Sequence, residues 1–578
     1  MGAIIDFKAT KCKHCYKCVR YCEVKAIMIK DGKAEIMPDQ CILCGLCLQI
    51  CPQSAKSLNS DISLVKGMIA RGEKVVVSLA PSYKGILPFS HKGQVKDALQ
   101  QLGFSDVRET AEGAALVTNE YADLLATSTL DNIITTCCPS ANALIEKHYP
   151  TLVPYLAPVV SPMVAHGRLI KKELGTDTKV VFLGPCIAKK QESIDPRHDD
   201  AIDAVLNFTE VQAWLASEQI EISACQDKPF AQTDPKVNRL YPVTNGVIHS
   251  ILATQSAPDH YRKFYVHGER NCIDLCESML RGEVSGCFIE MNICQGGCVS
   301  GPALDASATS RFKVKLDLED SIPKEGVSAA QIDKMKTGVA MQKVFTNRAK
   351  DSSMPTENQI RDILCKTNKF TPEDELNCGA CGYATCREKA IAVFQDKAEL
   401  NMCIPFMTQK AESLANLVME TSPNVVMIVD DTLKILEYSA VGEKYFGKTR
   451  TEALQMYLYE LIDPTDFEWV LKTHQSIRGK KISFAEYHTD MLQNIMYIEK
   501  ENVVLSIFID ITKEEEIARL DFEKKLETIE LAQEVIRKQM MVAQEIAGLL
   551  GETTAETKTT LTSLCRSLLD EGNKDGGR

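Results

Sequence analysis

Glu290-Met291-Asn292-Ile293-Cys294-Gln295-Gly296-Gly297-Cys298-Val299-Ser300-Gly301-Pro302 is the stretch on which the reading of this chain turns. Its two cysteines stand four apart beside paired glycines, so two thiolates can close on a cluster while backbone lacking Cβ atoms passes close to it. Alone this is a weak signal. It gains weight from two earlier stretches, Thr135-Thr136-Cys137-Cys138-Pro139-Ser140 and Gly184-Pro185-Cys186-Ile187-Ala188-Lys189-Lys190-Gln191-Glu192. Together the three supply four separated thiolates, a lysine and a glutamate.

In order and content these stretches resemble the signature loops of the iron-only (FeFe) hydrogenases, over residues of about 61 to 305. The resemblance implies a 4Fe-4S cluster joined through one cysteine to a two-iron subsite that carries CO, cyanide and a bridging dithiolate amine, the H-cluster. It implies Cys138, Cys186, Cys294 and Cys298 as ligands, with Cys298 bridging the two halves, and Cys137 as the group passing protons to and from the amine. Lys189 would bind a cyanide of the subsite. On its own a lysine reads as a solvated surface group, but beside Cys186 an ammonium both donates hydrogen bonds and offsets cluster charge. Glu192 matches a carboxylate on the family's proton route. Ala80-Pro81-Ser82 matches a turn that contacts a cyanide, and Ser161-Pro162 another wall of the pocket.

Departures from the family pattern are informative. Gly184 and Asn292 occupy positions where highly active members carry methionines packed around the two-iron unit, so a looser or more polar pocket is expected. Tyr121 lies where a glutamate is usual and Ala157 where a serine is usual, with Glu120 or water as substitutes. Met163 replaces a glutamine, and no tryptophan follows Ser140. A broken relay slows proton delivery, each lost decade of rate being ~1.4 kcal/mol of barrier. Slow hydrogen chemistry is the expectation.

A chain of 578 residues exceeds one core, and about 150 residues per domain predicts roughly four domains. The net charge of −12, without a dense Lys/Arg block, excludes a nucleic-acid footprint. The first residues show no secretory pattern and no apolar run approaches the ~20 residues of a membrane span, so a cytoplasmic protein off the membrane is expected. Twenty-three cysteines in a reducing compartment point to metal rather than disulfides.

Residues 1–60 carry Cys12-x2-Cys15-x2-Cys18-x3-Cys22 and Cys41-x2-Cys44-x2-Cys47-x3-Cys51-Pro52, the two-cluster ferredoxin pattern. In it the fourth cysteine of each run serves the other cube: Cys12, Cys15, Cys18 and Cys51 hold one cluster, and Cys41, Cys44, Cys47 and Cys22 the other. Zinc is a poor rival, since it favours two cysteine pairs with a long spacer. Residues 61–340 form the hydrogenase segment. There, helical patterns alternate with β-branched runs such as Val75-Val76-Val77 and Val180-Val181-Phe182-Leu183, which predicts an α/β domain of parallel strands with its site at their carboxyl ends. Cys225, Cys272, Cys276, Cys287, Cys365 and Cys565 have no place in these patterns and read as small buried hydrophobes, Cys272-x3-Cys276 being a further site only with partners the sequence does not name.

Residues 341–410 hold a connector, read as a helix and linker over about Lys334 to Ser353, and then Cys378-x2-Cys381-x4-Cys386-x16-Cys403. This resembles a small four-cysteine 4Fe-4S domain of anaerobic redox proteins, with zinc the minor alternative. Residues 411–513 resemble a PAS sensor domain, on Glu420-Thr421-Ser422-Pro423, the strand Val425 to Asp430 and the exit Ile509-Asp510-Ile511-Thr512. His474 and His488 are candidate cofactor ligands, but a lone histidine is more often structural. In residues 514–578 a helix from about Lys513 to Leu550 shows heptad rows Leu526, Gln533, Met540, Ala547 and Ile529, Ile536, Ala543, Leu550. These rows predict a parallel coiled coil and hence a homodimer, the alternative being a helix packed on its own PAS domain.

The expectation is therefore a multidomain α+β and α/β protein that handles H2 and protons at an H-cluster. Three further 4Fe-4S clusters relay electrons, ferredoxin is a possible redox partner, and a kinase or phosphatase is the output partner reached through the PAS domain. A bulk metabolic hydrogenase and a non-catalytic iron-sulfur assembly scaffold are the alternatives.

Overall fold

The computed structural model describes residues 4–198, 200–230, 236–254, 260–304, 310–320, 322, 338–350, 353–547 and 554–571. The chain falls into two compact units, Met1–Phe406 and Met407–Arg578.

In the first unit, β1 (Ile5–Phe7) pairs antiparallel with β4 (Lys56–Leu58), and β2 (Ile27–Lys30) with β3 (Lys33–Ile36). Each cysteine run turns through a short helix, Lys17–Arg20 or Leu46–Gln49, entered through a left-handed residue, Tyr16 or Gly45. The two halves repeat their sulfur bonding as well. Ala26 N–H donates to Cys22 Sγ at 3.3 Å and Ala55 N–H to Cys51 Sγ at 3.4 Å.

Next come two parallel sheets. One has the order β6-β5-β8-β9, from β5 (Val75–Leu79), β6 (Asp106–Glu109), β8 (Lys179–Gly184) and β9 (Ala204–Asn207). The other has the order β10-β11-β7, from β7 (Ile133–Ile134), β10 (Arg262–His267) and β11 (Cys287–Asn292). The two apolar runs named above lie side by side, Val77 opposite Val181, and every residue of β5 is buried. Strands covered on both faces need such unbroken apolar sequence. The helices Ala111–Thr127 and Pro162–Leu174 close on one another because Gly113 has no side chain: a Cβ there would lie 2.2 Å from Pro162 O and 2.7 Å from His166 Cβ.

The connector departs from its expected form. Residues 338–350 contain no helix; they run extended, with a bridge from Gln342 to Val159 and Val160 N–H donating to Met341 O. Residues 334–337, 351 and 352 lie outside the described part. Met341 is 7% exposed and joins the main core, so anchoring to the parallel-sheet domain outweighs local helix preference.

The second unit is a five-stranded antiparallel sheet of order β13-β12-β16-β15-β14, from β12 (Val425–Val429), β13 (Ile435–Tyr438), β14 (Ile477–Phe484), β15 (Thr489–Ile498) and β16 (Val503–Asp510). Phe446 fills its interior, edge-on to Phe484 at 5.6 Å and to Phe508 at 6.4 Å. His474 and His488 are both exposed in left-handed turns, and His474 stacks on Tyr497 at 4.0 Å. Neither points to a cofactor in the core. A 36-residue helix, Thr512–Ala547, follows. Along it Ile529, Ile536, Met540 and Ala543 are half-buried whereas Gln533 is exposed, and Leu550 lies outside the described residues. A second helix, Thr554–Glu571, touches it. Among the described residues no helix is long and apolar enough to cross a membrane.

Candidate metal-cluster site

Five strands end at one place. The residues that follow β5, β6, β7, β8 and β11 line a single cavity of about 90 Å³, among them Ser82, Thr110, Cys137, Cys186 and Cys294. Cys138, Cys298, Pro81, Pro162 and Lys189 line it too. Three loops more than a hundred residues apart at their extremes thus present their sulfurs to a common space. The sulfurs also feel one another. Burial first, then the neighbouring thiols Cys138, Cys298 and Cys186, hold the Cys186, Cys294 and Cys298 thiols above their ordinary range, Cys186 at about 11. Three crowded thiols that resist ionising in a buried place are what a cationic iron core relieves.

Lys189 is 8% exposed. Its ammonium donates to Glu192 Oε2 at 2.6 Å and Ser161 Oγ at 2.9 Å, and reaches Cys137 O at 3.4 Å. Ser161 Oγ donates to the same carboxylate oxygen at 3.0 Å. Ser161 and Glu192 therefore stand behind the cavity wall and aim the lysine, while Lys189 itself faces inward. Burial opposes both charges, but each partner outweighs it: Glu192 is held below, and Lys189 above, its ordinary pKa. Ser82 Oγ is buried at the cavity wall without a hydrogen-bond partner. A free hydroxyl donor, a buried ammonium and four thiols suit an anionic cluster bearing cyanide-like acceptors, and the residues present fit such a group.

Two departures take on physical form here. The pocket is not looser at Gly184: a Cβ there would fall 2.6 Å from Phe182 Cε1 and 3.1 Å from Ala80 Cβ, so the Phe182 ring fills the space. It is more polar at Asn292, whose amide donates to Glu290 Oε1 at 3.1 Å. Ala157 is wholly buried and offers no hydroxyl. Tyr121, also wholly buried, places its hydroxyl 3.4 Å from Cys137 Sγ. Glu120 is half-buried and outside the cavity wall.

Residues not singled out from sequence also belong to the site. Glu290, fully buried, accepts from Val247 N–H at 3.0 Å and Ile248 N–H at 3.1 Å at the start of the helix Gly246–Thr254. Tyr241 lines the cavity and bonds Thr118 Oγ1 at 2.7 Å. Glu290 lies inside the signature stretch, so its charge in an apolar strand was a usable signal. Nothing local marked Tyr241.

The other cysteines gather in two places. A Cβ on Gly45 would lie 2.4 Å from Pro302 Cβ and 2.6 Å from Ile187 Cδ1, so the ferredoxin-like segment is pressed against the loops carrying Cys186 and Cys298. Its Cys44 lines the same cavity. Cys22, Cys41, Cys44 and Cys47 act on one another's ionisation, and Cys18 acts on Cys22 and Cys47 as well, so the sulfurs of the two runs lie close together. Cys378, Cys381, Cys386 and Cys403 line one small pocket with Lys369 and Lys389. That segment folds back on the ferredoxin-like one. Arg20 donates to Ala380 O at 3.1 Å and Lys25 to Gly382 O at 3.0 Å, and Tyr383 and Met402 share a core with Val19. Of the six cysteines read as small buried hydrophobes, Cys272, Cys276 and Cys287 are buried, whereas Cys225, Cys365 and Cys565 are only half-buried, Cys565 lying on the tail helix.

Known families match these segments. Residues 73–302 match "Iron only hydrogenase large subunit, C-terminal domain", 11–55 match "4Fe-4S dicluster domain", 374–405 match "Putative Fe-S cluster" and 415–511 match "PAS fold". The chain is 27% identical over 367 residues to iron hydrogenase 1 of Clostridium pasteurianum, covering 50% of this chain and 63% of that one. It is 28% identical over 227 residues to the cytosolic Fe-S cluster assembly factor NAR1 of Vanderwaltozyma polyspora, covering 36% of this chain and 40% of that one. A solved structure of the FeFe hydrogenase HydA1 from Chlamydomonas reinhardtii aligns with a TM-score of 0.43 at 18% identity, over 50% of this chain and 100% of that one. The chain thus carries an iron-only hydrogenase large-subunit domain behind a 4Fe-4S ferredoxin domain and ahead of a PAS domain, the architecture of a PAS-containing FeFe-hydrogenase-like protein.

Proposed function

We propose that this protein oxidises H2 and reduces protons slowly at an H-cluster, and that the reaction reports H2 or redox state to its PAS domain. The observation that carries the reading is the single cavity lined by Cys138, Cys186, Cys294 and Cys298 together with Cys137 and Lys189. The cluster, when bound, supplies the redox centre at which H2 is split or formed. The chain supplies the rest. Cys138, Cys186, Cys294 and Cys298 would hold the cluster through their thiolates. Lys189, aimed by Ser161 and Glu192, offers a buried positive charge to the cyanide side, with Pro81, Ser82 and Pro162 as the opposing wall. Cys137, held by the Tyr121 hydroxyl, would hold and pass on a proton at its Sγ beside the cluster.

Slowness follows from an apolar Ala157 where a relay hydroxyl is expected. Sensing follows from the order of the redox groups. Cys44 adjoins the cavity, the Cys22 side of the dicluster adjoins Tyr383, and Cys403 immediately precedes the helix Ile404–Thr421 that leads into β12. An electron leaving the cavity ends beside that helix, and a homodimeric tail passes the change to a kinase or phosphatase. Protein matured with the hydrogenase assembly enzymes should show infrared bands of CO and cyanide and a low H2-uptake rate. Absence of those bands removes the reading. The NAR1 similarity favours a second one, a non-catalytic assembly factor, for which those bands would also be absent; the Tyr121–Cys137 contact and the buried Lys189–Glu192 pair have no use there.

A further inference from the structure

Cys137 lacks the carboxylate and serine expected behind it, yet protons must still reach the cavity. A second line of polar groups starts at that cavity and leaves it through the core. Thr110, 5% exposed, lines the cavity at the end of β6. Its Oγ1 lies 2.8 Å from Ser78 Oγ, and Ser78 Oγ lies 2.8 Å from His166 Nδ1. Across the ring, His166 Nε2 lies 3.6 Å from Glu112 Oε2. Arg108 bonds that carboxylate, and its other nitrogen donates at 2.5 Å to Glu173, whose side chain is 47% exposed. Ser78 and His166 are wholly buried. His166 Nε2 and Glu112 Oε1 have no hydrogen-bond partner.

A buried polar network of this cost is retained where every member is satisfied or where it has a task. This one is left open on one side of the histidine, between His166 Nε2 and the Glu112 carboxylate, in a gap one small shift closes. Gly113 permits it, since only a residue without a side chain lets the Pro162–Leu174 helix bring His166 against Glu112.

We propose that Thr110, Ser78, His166 and Glu112 form a proton wire between the cluster cavity and the surface at Glu173. The proposal rests on the hydrogenase reading above. During proton reduction Thr110 gives its hydroxyl proton to the cavity and takes one from Ser78 Oγ; Ser78 takes one from His166 Nδ1, and His166 Nε2 takes one from the Glu112 carboxyl. Glu112 rests as a carboxylate paired with Arg108, and water entering beside the half-exposed Glu173 delivers its next proton; the His166 ring then turns its proton back to Nδ1 before the next transfer. Each O–H or N–H bond broken is replaced by one formed, so no charge stays in the wire, and H2 oxidation runs it backwards. Arg108 carries no proton, because a guanidinium stays charged; it holds the two carboxylates at the exit.

The test uses the matured full-length protein. Thr110→Val and Ser78→Ala should each slow H2 uptake about ten-fold or more, within the range of a positioned proton donor, with CO and cyanide bands unchanged. Thr110→Ser, which keeps the hydroxyl, should stay within about two-fold of the parent. Infrared difference spectra between argon and H2 should contain a carboxyl C=O band that shifts in D2O, vanishes in Glu112→Gln and is lost in Thr110→Val. A structural network moves none of these signals. Parent-like rates in Thr110→Val and Ser78→Ala with intact cluster bands, or the lack of a Glu112 carboxyl band in the parent, overturns the wire and leaves the hydrogenase reading standing. Lack of CO and cyanide bands in the parent overturns both.

Discussion

The hydroxyl of Tyr121 accepts from Thr136 N–H at 2.8 Å and lies 3.4 Å from Cys137 Sγ. Accepting on one side leaves its own proton for Thr136 Oγ1 or the sulfur. Burial, then the Cys137 charge, holds the phenol well above its ordinary pKa, so it stays a neutral donor. Tyr121→Phe strands a buried N–H, which costs about 1–3 kcal/mol, and frees the Cys137 thiol. The expected result is a lower Tm, unaltered CO and cyanide bands and slower H2 uptake. A parent-like uptake rate at full cluster loading contradicts a role for this hydroxyl.

Phe182 and Gly184 share one volume. Gly184→Met forces atoms to within 2.6 Å of the Phe182 ring, and overpacking of a core costs about 1–3 kcal/mol. The single variant should lose that much in urea unfolding, and Phe182→Ala should recover most of it in the double variant. Additive losses would mean that the two side chains do not compete.

The parallel sheets and the three cysteine loops were legible because both are local signals: unbroken β-branched runs, and thiolates at fixed spacing beside glycines. The four-cysteine segment from Cys378 was legible for the same reason. Its docking on Val19 was not, nor was the Phe182 ring behind Gly184, because those contacts join residues whose sequence neighbours say nothing of each other. The connector was misread as a helix since its composition permits one, and it is packing of Met341 and backbone bonds to residues far away in sequence, such as Val160 and Pro158, that hold it extended. The line from Thr110 to Glu112 was invisible for a different reason: serine, threonine and histidine in a core carry no spacing rule at all.

Gly45 bears on electron transfer. It sits at φ 76° with Pro302 and Ile187 against it, so Gly45→Ala meets both a left-handed backbone, unfavourable by about 1–2 kcal/mol for other residues, and a steric wall. The side chain should push the dicluster segment away from the Cys186 and Cys298 loops. Iron content per chain should hold, while reduction of the dicluster by H2 slows in stopped-flow absorbance. Unchanged reduction kinetics would show that electrons do not cross at this contact.

Glu290 sets a pH dependence. Burial lifts its carboxyl to about 7, against the backbone N–H groups of Ile248 and Val247 that favour the charged form. In the unfolded chain it titrates near its ordinary value of 4.5. A raised folded pKa gives stability that is fully present below the unfolded value and is lost as pH rises through the folded one. At about 1.4 kcal/mol per unit, roughly 3 kcal/mol disappears over that window. Glu290→Gln keeps an acceptor for both N–H groups and has no charge to bury. The variant should therefore gain on the parent as pH rises from acid to neutral, by up to roughly 3 kcal/mol in denaturant unfolding of the cluster-free protein. A difference between variant and parent that stays flat across that window means Glu290 ionises in the fold as easily as in water.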